Sequence, residues 1–151
     1  SQSIPASGQR SMRPTWWRRR ARFRRGRGEI LRAFLEQLSA ANPVGPGPER
    51  TWVFVPYDQL TDRVGPLAKL RPSEAGIVMV ECPAKASRRP YHRQKLFLVL
   101  ANQRRFALEQ AARGVEVRYR VAGQGEGYGE PLRAAAAELG PLVHMEHVLL
   151  F

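Results

Sequence analysis

Apolar residues recur at two periods along this chain, and the changes of period mark its elements. Residues 51–56, TWVFVP, form a short apolar run that predicts a first strand. Residues 76–82, GIVMVEC, are apolar on both faces, as a central parallel strand should be. From 92 to 113 the period lengthens to that of a helix. Leu96, Leu100, Phe106 and Leu108, with Ala107 and Ala111, supply its apolar side, and Gly114 is its natural stop. Residues 115–121 alternate strictly: Val115, Val117, Tyr119 and Val121 point one way, Glu116, Arg118 and Arg120 the other. One polar face predicts an edge strand. Residues 131–139 read as a second helix, with Pro131 allowed in its first turn, and 142–151 as a fourth strand.

Strands alternating with helices predict an α/β fold. The expected sheet is doubly wound, mostly parallel and Rossmann-like, in the order 3-2-1-4, which puts the third strand at the edge. In such sheets ligands lie outside the carboxyl ends of the strands, so the chemistry is expected near residues 82–95.

The first fifty residues read differently. Residues 29–40, EILRAFLEQLSA, place Ile30, Leu31, Phe34, Leu35 and Leu38 on one helical face, predicting a short amphipathic helix over 29–41. Residues 42–48, NPVGPGP, cannot propagate it. A linker over 42–50 is therefore expected to separate the extension from an α/β domain at 51–151. Between the first two strands, 61–73 reads as loop or irregular helix with Pro66 and Pro72 as breakers.

Charge sharpens this division. The net charge is +12, yet residues 1–28 hold nine arginines and no acid, leaving +3 for the rest. This basic segment is expected to be an unstructured tail. Trp16, Trp17, Arg18, Arg19, Arg20, Arg22, Arg24 and Arg25 interleave aromatic and cationic side chains. That pattern suits a nucleic-acid arm, in which Arg neutralises phosphates and Trp stacks on bases. The simpler reading is a basic leader without a selected role. The single cysteine, Cys82, excludes an internal disulfide and fits a reducing, cytoplasmic setting. No apolar run is long enough to predict a membrane span.

Candidate chemistry is sparse. The glycine-rich segment 123–129 has G-x-G-x-G-x-G spacing, which matches no phosphate-loop fingerprint and reads as a surface loop. His92, His144 and His147 make no metal site, since the last two would point to opposite faces of a strand. Cys82 reads as a packed thiol. Asp58 and Glu81 sit near strand ends and could reach the crevice; Asp58 could equally cap a turn. Lys85, Arg88, Arg89, Arg93 and Lys95 form a basic cluster that Arg104 and Arg105 extend along the helix.

A strand leading into Asp58-Gln59-Leu60 is followed by V-M-V-E-C-x-A-x-A-S at 78–87, then His92, Gln94-Lys95, Arg104/Arg105-Phe106, Glu109, Arg113-Gly114 and V-x-Y at 117–119. In this order and spacing, residues 53–143 resemble the amino-terminal α/β domain of the photolyase-related proteins, the iron–sulfur bacterial cryptochromes and photolyases. The resemblance implies an antenna domain that holds a lumazine- or flavin-type chromophore. It also implies energy transfer to FAD in a separate helical domain, which carries the iron–sulfur cluster and acts in DNA repair or light sensing. The implied pocket residues are Tyr57, Asp58, Gln59, Glu81, Cys82, Lys85, Arg88 and Val99. Three of them depart from the family pattern: Tyr57 stands where glycine is usual, Lys85 replaces an acid and Arg88 an aromatic residue. The chain is expected to contain no FAD, iron–sulfur or other metal site, and photorepair by it alone is not expected. It reads as a fragment, a degenerate product or a stand-alone accessory domain, contacting DNA through the tail or a separate catalytic domain.

Overall fold

The structure is a computed structural model that describes residues 15–44, 49–82, 93–123 and 126–145. The chain divides into two units, Ser1–Leu35 and Glu36–Phe151.

The first unit consists, in its described part, of most of helix α1, Thr15–Ala41. The helix expected from residue 29 thus begins fourteen residues earlier and takes in part of the segment expected to be unstructured. Arginine and alanine are good helix formers, so the basic run propagates a helix despite Gly26 and Gly28. Of the five apolar residues expected on one face, Phe34 and Leu38 are buried while Ile30 and Leu35 are exposed, a narrower stripe than the periodicity suggests.

The second unit is a four-stranded parallel sheet in the order β3-β2-β1-β4, as the pattern predicts. The elements run β1 (Thr51–Phe54), α2 (Pro66–Lys69), a 3₁₀ turn (Pro72–Glu74), β2 (Ala75–Glu81), α3 (Arg93–Ala112), β3 (Glu116–Val121), α4 (Gly129–Leu139) and β4 (Val143–His144). Pro66 and Pro72 start helical turns rather than break them, because their missing N–H is an orphan at that position anyway. The fourth strand is shorter than expected, and residues 146–151 lie outside the described set.

Every residue of β2 is buried, so it is the central strand its apolar run predicts. One face of the sheet meets α4, where Trp52 and Val78 pack on Ala135, Leu132 and Leu139. By alternation, Val53, Val55, Ile77 and Met79 line the other face, on which Phe106, Ala107 and Ala111 of α3 are also buried. Two glutamines share the buried side of α3. Gln103 Nε2 donates to the Val80 carbonyl at 3.0 Å, and Gln110 Nε2 donates to Asp62 at 3.0 Å. The long apolar residues Phe97 and Leu98 are instead exposed.

Polar side chains complete the sheet at its margins. Asn42 pairs with the outer edge of β3 as a strand would: its Nδ2 donates to the Val117 carbonyl at 3.0 Å, and the Val117 amide donates to its Oδ1 at 2.8 Å. That contact covers part of an otherwise exposed edge. It also means that the compact unit extends through residue 42, upstream of the boundary expected from the Pro/Gly run. Arg50 sits at the amino end of the sheet. Its Nη1 donates to the carbonyls of Pro72, Ala75 and Gly114 at 3.0, 2.8 and 3.1 Å, and its Nε lies 3.3 Å from Glu116.

Candidate functional site at the carboxyl edge of the sheet

Neighbouring side chains at a strand end point to opposite faces, and this sorts the candidate residues into two groups. On the α4 face, Cys82, Val80 and Ala122 form a buried cluster against which Phe54, Tyr128 and Leu132 pack. The Cys82 thiol donates to the Glu126 carbonyl at 3.3 Å, and the Gly123 amide donates to Glu126 Oε2 at 2.9 Å. The segment leaving β3 is therefore tied to the end of β2. Only part of the loop expected over 123–129 is free surface: Tyr128 is packed, while residues 124 and 125 lie outside the described set.

Tyr57 and Asp58 occupy the turn after β1, closed by a hydrogen bond from the Gln59 amide to the Pro56 carbonyl at 3.1 Å. Both are exposed, and Gln59 is half-buried. Burial, then the nearby Cys82, Tyr57 and Asp58, push the Tyr128 phenol up to about 12. The turn after β1, the end of β2 and the start of α4 thus bring two phenols, a carboxylate and a thiol near one another at the carboxyl edge of the sheet, the candidate crevice. Aromatic walls with a few polar groups suit a planar heteroaromatic ligand whose ring N–H groups need acceptors.

The α3 face holds the second group. Glu81 is buried and accepts two hydrogen bonds from Arg104, Nε at 3.1 Å and Nη2 at 2.8 Å. It also accepts one from the Tyr119 hydroxyl at 2.6 Å. Burial works against the Arg104 charge, but the hydrogen bond and charge of Glu81 outweigh it and raise its pKa. Tyr119 is held well above the ordinary tyrosine range, by burial first and then by Glu81. The Glu81 carboxylate is thus engaged with α3 and β3 and stands apart from the crevice lined by Cys82. Arg104, read from sequence as part of a basic cluster, is half-buried and paired. Val99 is half-buried on α3.

Lys85, Arg88 and Arg89 fall within residues 83–92, outside the described set. Trp16, Trp17 and the arginines at 18, 19, 20, 22, 24 and 25 lie along α1, but their side chains are outside that set too. Among the described residues no three His, Cys, Asp or Glu side chains come together as a metal-ligand set, and no helix is long and apolar enough to cross a membrane.

Sequence reasoning missed Tyr128 and Glu126, and it missed that Arg104 and Tyr119 pair with Glu81. For Tyr128 there was a usable signal, an aromatic residue in the segment that follows a strand at the binding edge of the sheet. For the buried trio of Glu81, Arg104 and Tyr119 there was none, because its members come from three elements.

The two shielded phenols make stability fall in alkali. Unfolded tyrosine releases its proton near about pH 10. Above that value the unfolded chain binds fewer protons than the native one, so unfolding becomes easier as pH rises. The contribution of Tyr128 is complete below about pH 10 and is lost as pH climbs through its folded value of about 12. The denaturation midpoint is expected to drop over this window, and less steeply in a Tyr128→Phe variant. Parallel pH curves for the two proteins would show that Tyr128 is not shielded.

A protein-family model described as deoxyribodipyrimidine photo-lyase-related protein matches residues 53–146. The match runs from β1 through β4 and takes in the whole crevice. No curated protein matches the chain.

Proposed function

Because this chain belongs to the deoxyribodipyrimidine photo-lyase-related protein family, we propose that its α/β unit is an antenna domain holding a lumazine- or flavin-type chromophore at the carboxyl edge of the sheet. The observation that carries this reading is that Tyr57, Asp58, Cys82 and Tyr128 lie near one another at the carboxyl edge within the matched segment. The residue types fit such a ring. Asp58 is an exposed carboxylate able to accept from a ring or ribityl donor, and the phenol of Tyr128 offers an aromatic surface with a polar tip. Cys82 contributes shape rather than reactivity, since its proton is directed at the Glu126 carbonyl. Tyr57 stands in the turn where the family pattern has glycine, and its exposed ring adds bulk beside Asp58. When bound, the chromophore would absorb light and pass the energy to FAD in a helical catalytic domain, in the setting of DNA repair or photoreception. The iron–sulfur cluster of that setting does not fit this chain, whose single cysteine cannot supply the thiolates a cluster requires.

Absorption and fluorescence titration with a ribityllumazine and with riboflavin tests the proposal. Saturable binding with a micromolar or tighter dissociation constant is expected for at least one of them. An Asp58→Asn variant should bind about tenfold more weakly, the loss expected for one charge-assisted hydrogen bond. Spectra identical to the free compounds at tens of micromolar protein would sink the antenna reading.

A further inference from the structure

Glu81, the last residue of β2, and Cys82, which follows it, are gripped from opposite faces. Glu81 is held on the α3 side by both prongs of Arg104 and by the Tyr119 hydroxyl. Next to Arg104 on the same helix, Gln103 holds the Val80 carbonyl at 3.0 Å. On the α4 side Cys82 is tied to the Glu126 carbonyl. The hydrogen bond from the Ala122 amide to the Glu81 carbonyl, at 2.8 Å, closes the ladder between β2 and β3. Beyond it Cys82 is held by its own contacts on the α4 side and, through the backbone, by the side chains that anchor Glu81.

A buried carboxylate that loses its cation must find a proton or water. Glu81 is only 5% exposed, so it reaches water by loosening the strand end rather than by turning its side chain. That loosening moves Cys82, which lies one residue on and lines the crevice with Tyr128. We propose that Arg104 is a positioning residue of the candidate site: by locking Glu81 it fixes the strand end from which Cys82 faces Tyr128 and the segment at 126–128. The inference rests on reading the crevice as a ligand site, but its first test needs no ligand.

Cys82 is the only thiol in the chain, so its reaction with an aromatic disulfide reagent in native buffer reports opening of this strand end alone. Arg104→Met is expected to speed the reaction roughly tenfold, the signature of a local rather than global opening. Arg104→Lys should fall in between, because lysine keeps the charge but not the two-pronged geometry. Asn42→Ala, which loosens the outer edge of β3 instead, serves as the stability-matched control and should label like the wild type. Ribityllumazine affinity should fall in the same order as labelling rises. Labelling of Arg104→Met no faster than that of Asn42→Ala, at equal denaturation midpoints, would overturn the proposal. If Arg104→Met does not fold, Arg104→Lys and Tyr119→Phe carry the comparison, with the same outcomes. A wild-type protein that binds no ribityllumazine would defeat the ligand reading, while the thiol rates would still decide the role of Arg104.

Discussion

Replacing Arg50 with methionine is expected to destabilise the α/β unit by about 1–3 kcal/mol, the cost of taking a donor away from buried acceptors. The side chain of Arg50 is only 7% exposed, and its Nη1 has three carbonyl acceptors within 3.1 Å. That nitrogen carries two hydrogens, so at least one is shared between acceptors. The carbonyls belong to Pro72, at the start of the 3₁₀ turn, to Ala75, at the start of β2, and to Gly114, in the turn before β3. The Nε adds Glu116 of β3. One guanidinium therefore joins the 3₁₀ turn, the start of β2, the turn before β3 and β3 itself. Methionine restores the volume and stem of the side chain but withdraws a donor from all four acceptors, of which Pro72 keeps the Ala75 amide and Glu116 keeps Arg118. Arg50→Lys should lose less, since an ammonium retains the charge but cannot address carbonyls and carboxylate from separate nitrogens. Urea denaturation followed by circular dichroism measures both variants. A loss within about 0.5 kcal/mol, typical of an unimportant surface substitution, would mean that water serves these carbonyls equally well.

The second large effect is expected at Gly76. An added Cβ there would lie 2.5 Å from Trp52 Cε3 and 2.6 Å from Cζ3, well inside contact distance. The indole of β1 lies across β2 at this point and reaches towards β3, where the Arg118 guanidinium sits 5.9 Å from its centroid. Gly76→Ala must push the ring aside, and overpacking of this kind costs about 1–3 kcal/mol. The cause is separable from any backbone preference of glycine. In a Trp52→Leu background the same substitution should be nearly neutral or slightly stabilising, because alanine restricts the unfolded chain more than glycine does. A double-mutant cycle over the four proteins isolates the contact. Equal costs of Gly76→Ala in both backgrounds would show that the indole is not what the methyl group meets.

These two positions also mark what sequence could and could not reveal. Gly76 stands at the head of an apolar run, and nothing along the chain says that it must be glycine. The reason lies in Trp52, which pairs with it in register only once β1 and β2 are aligned. The buried face of α3 teaches the same point. Periodicity draws attention to Leu96, Leu100 and Leu108, yet these are half-buried, and two glutamines take places in the core. Gln103 and Gln110 are tolerated there because each finds an acceptor contributed by another segment, the Val80 carbonyl and Asp62. At the candidate site, Glu81 and Cys82 look like one feature in the sequence. In space they are two, separated by the pleat of the strand.

The sequence by itself determined the element types, their parallel α/β order and the identity of the central and edge strands. Those follow from short-range periodicity and from the handedness and connection rules of βαβ units, which need no knowledge of partners. It also determined the family, since the matched segment is carried by linear spacing. Only the tertiary structure decided which polar residues are buried, and against what. Arg50, Asn42, Arg104 and Tyr119 all draw their meaning from partners 22 to 75 positions away in the chain. A polar side chain is stable inside a protein only when a partner desolvates with it. That condition is met in three dimensions and leaves no trace in the local pattern.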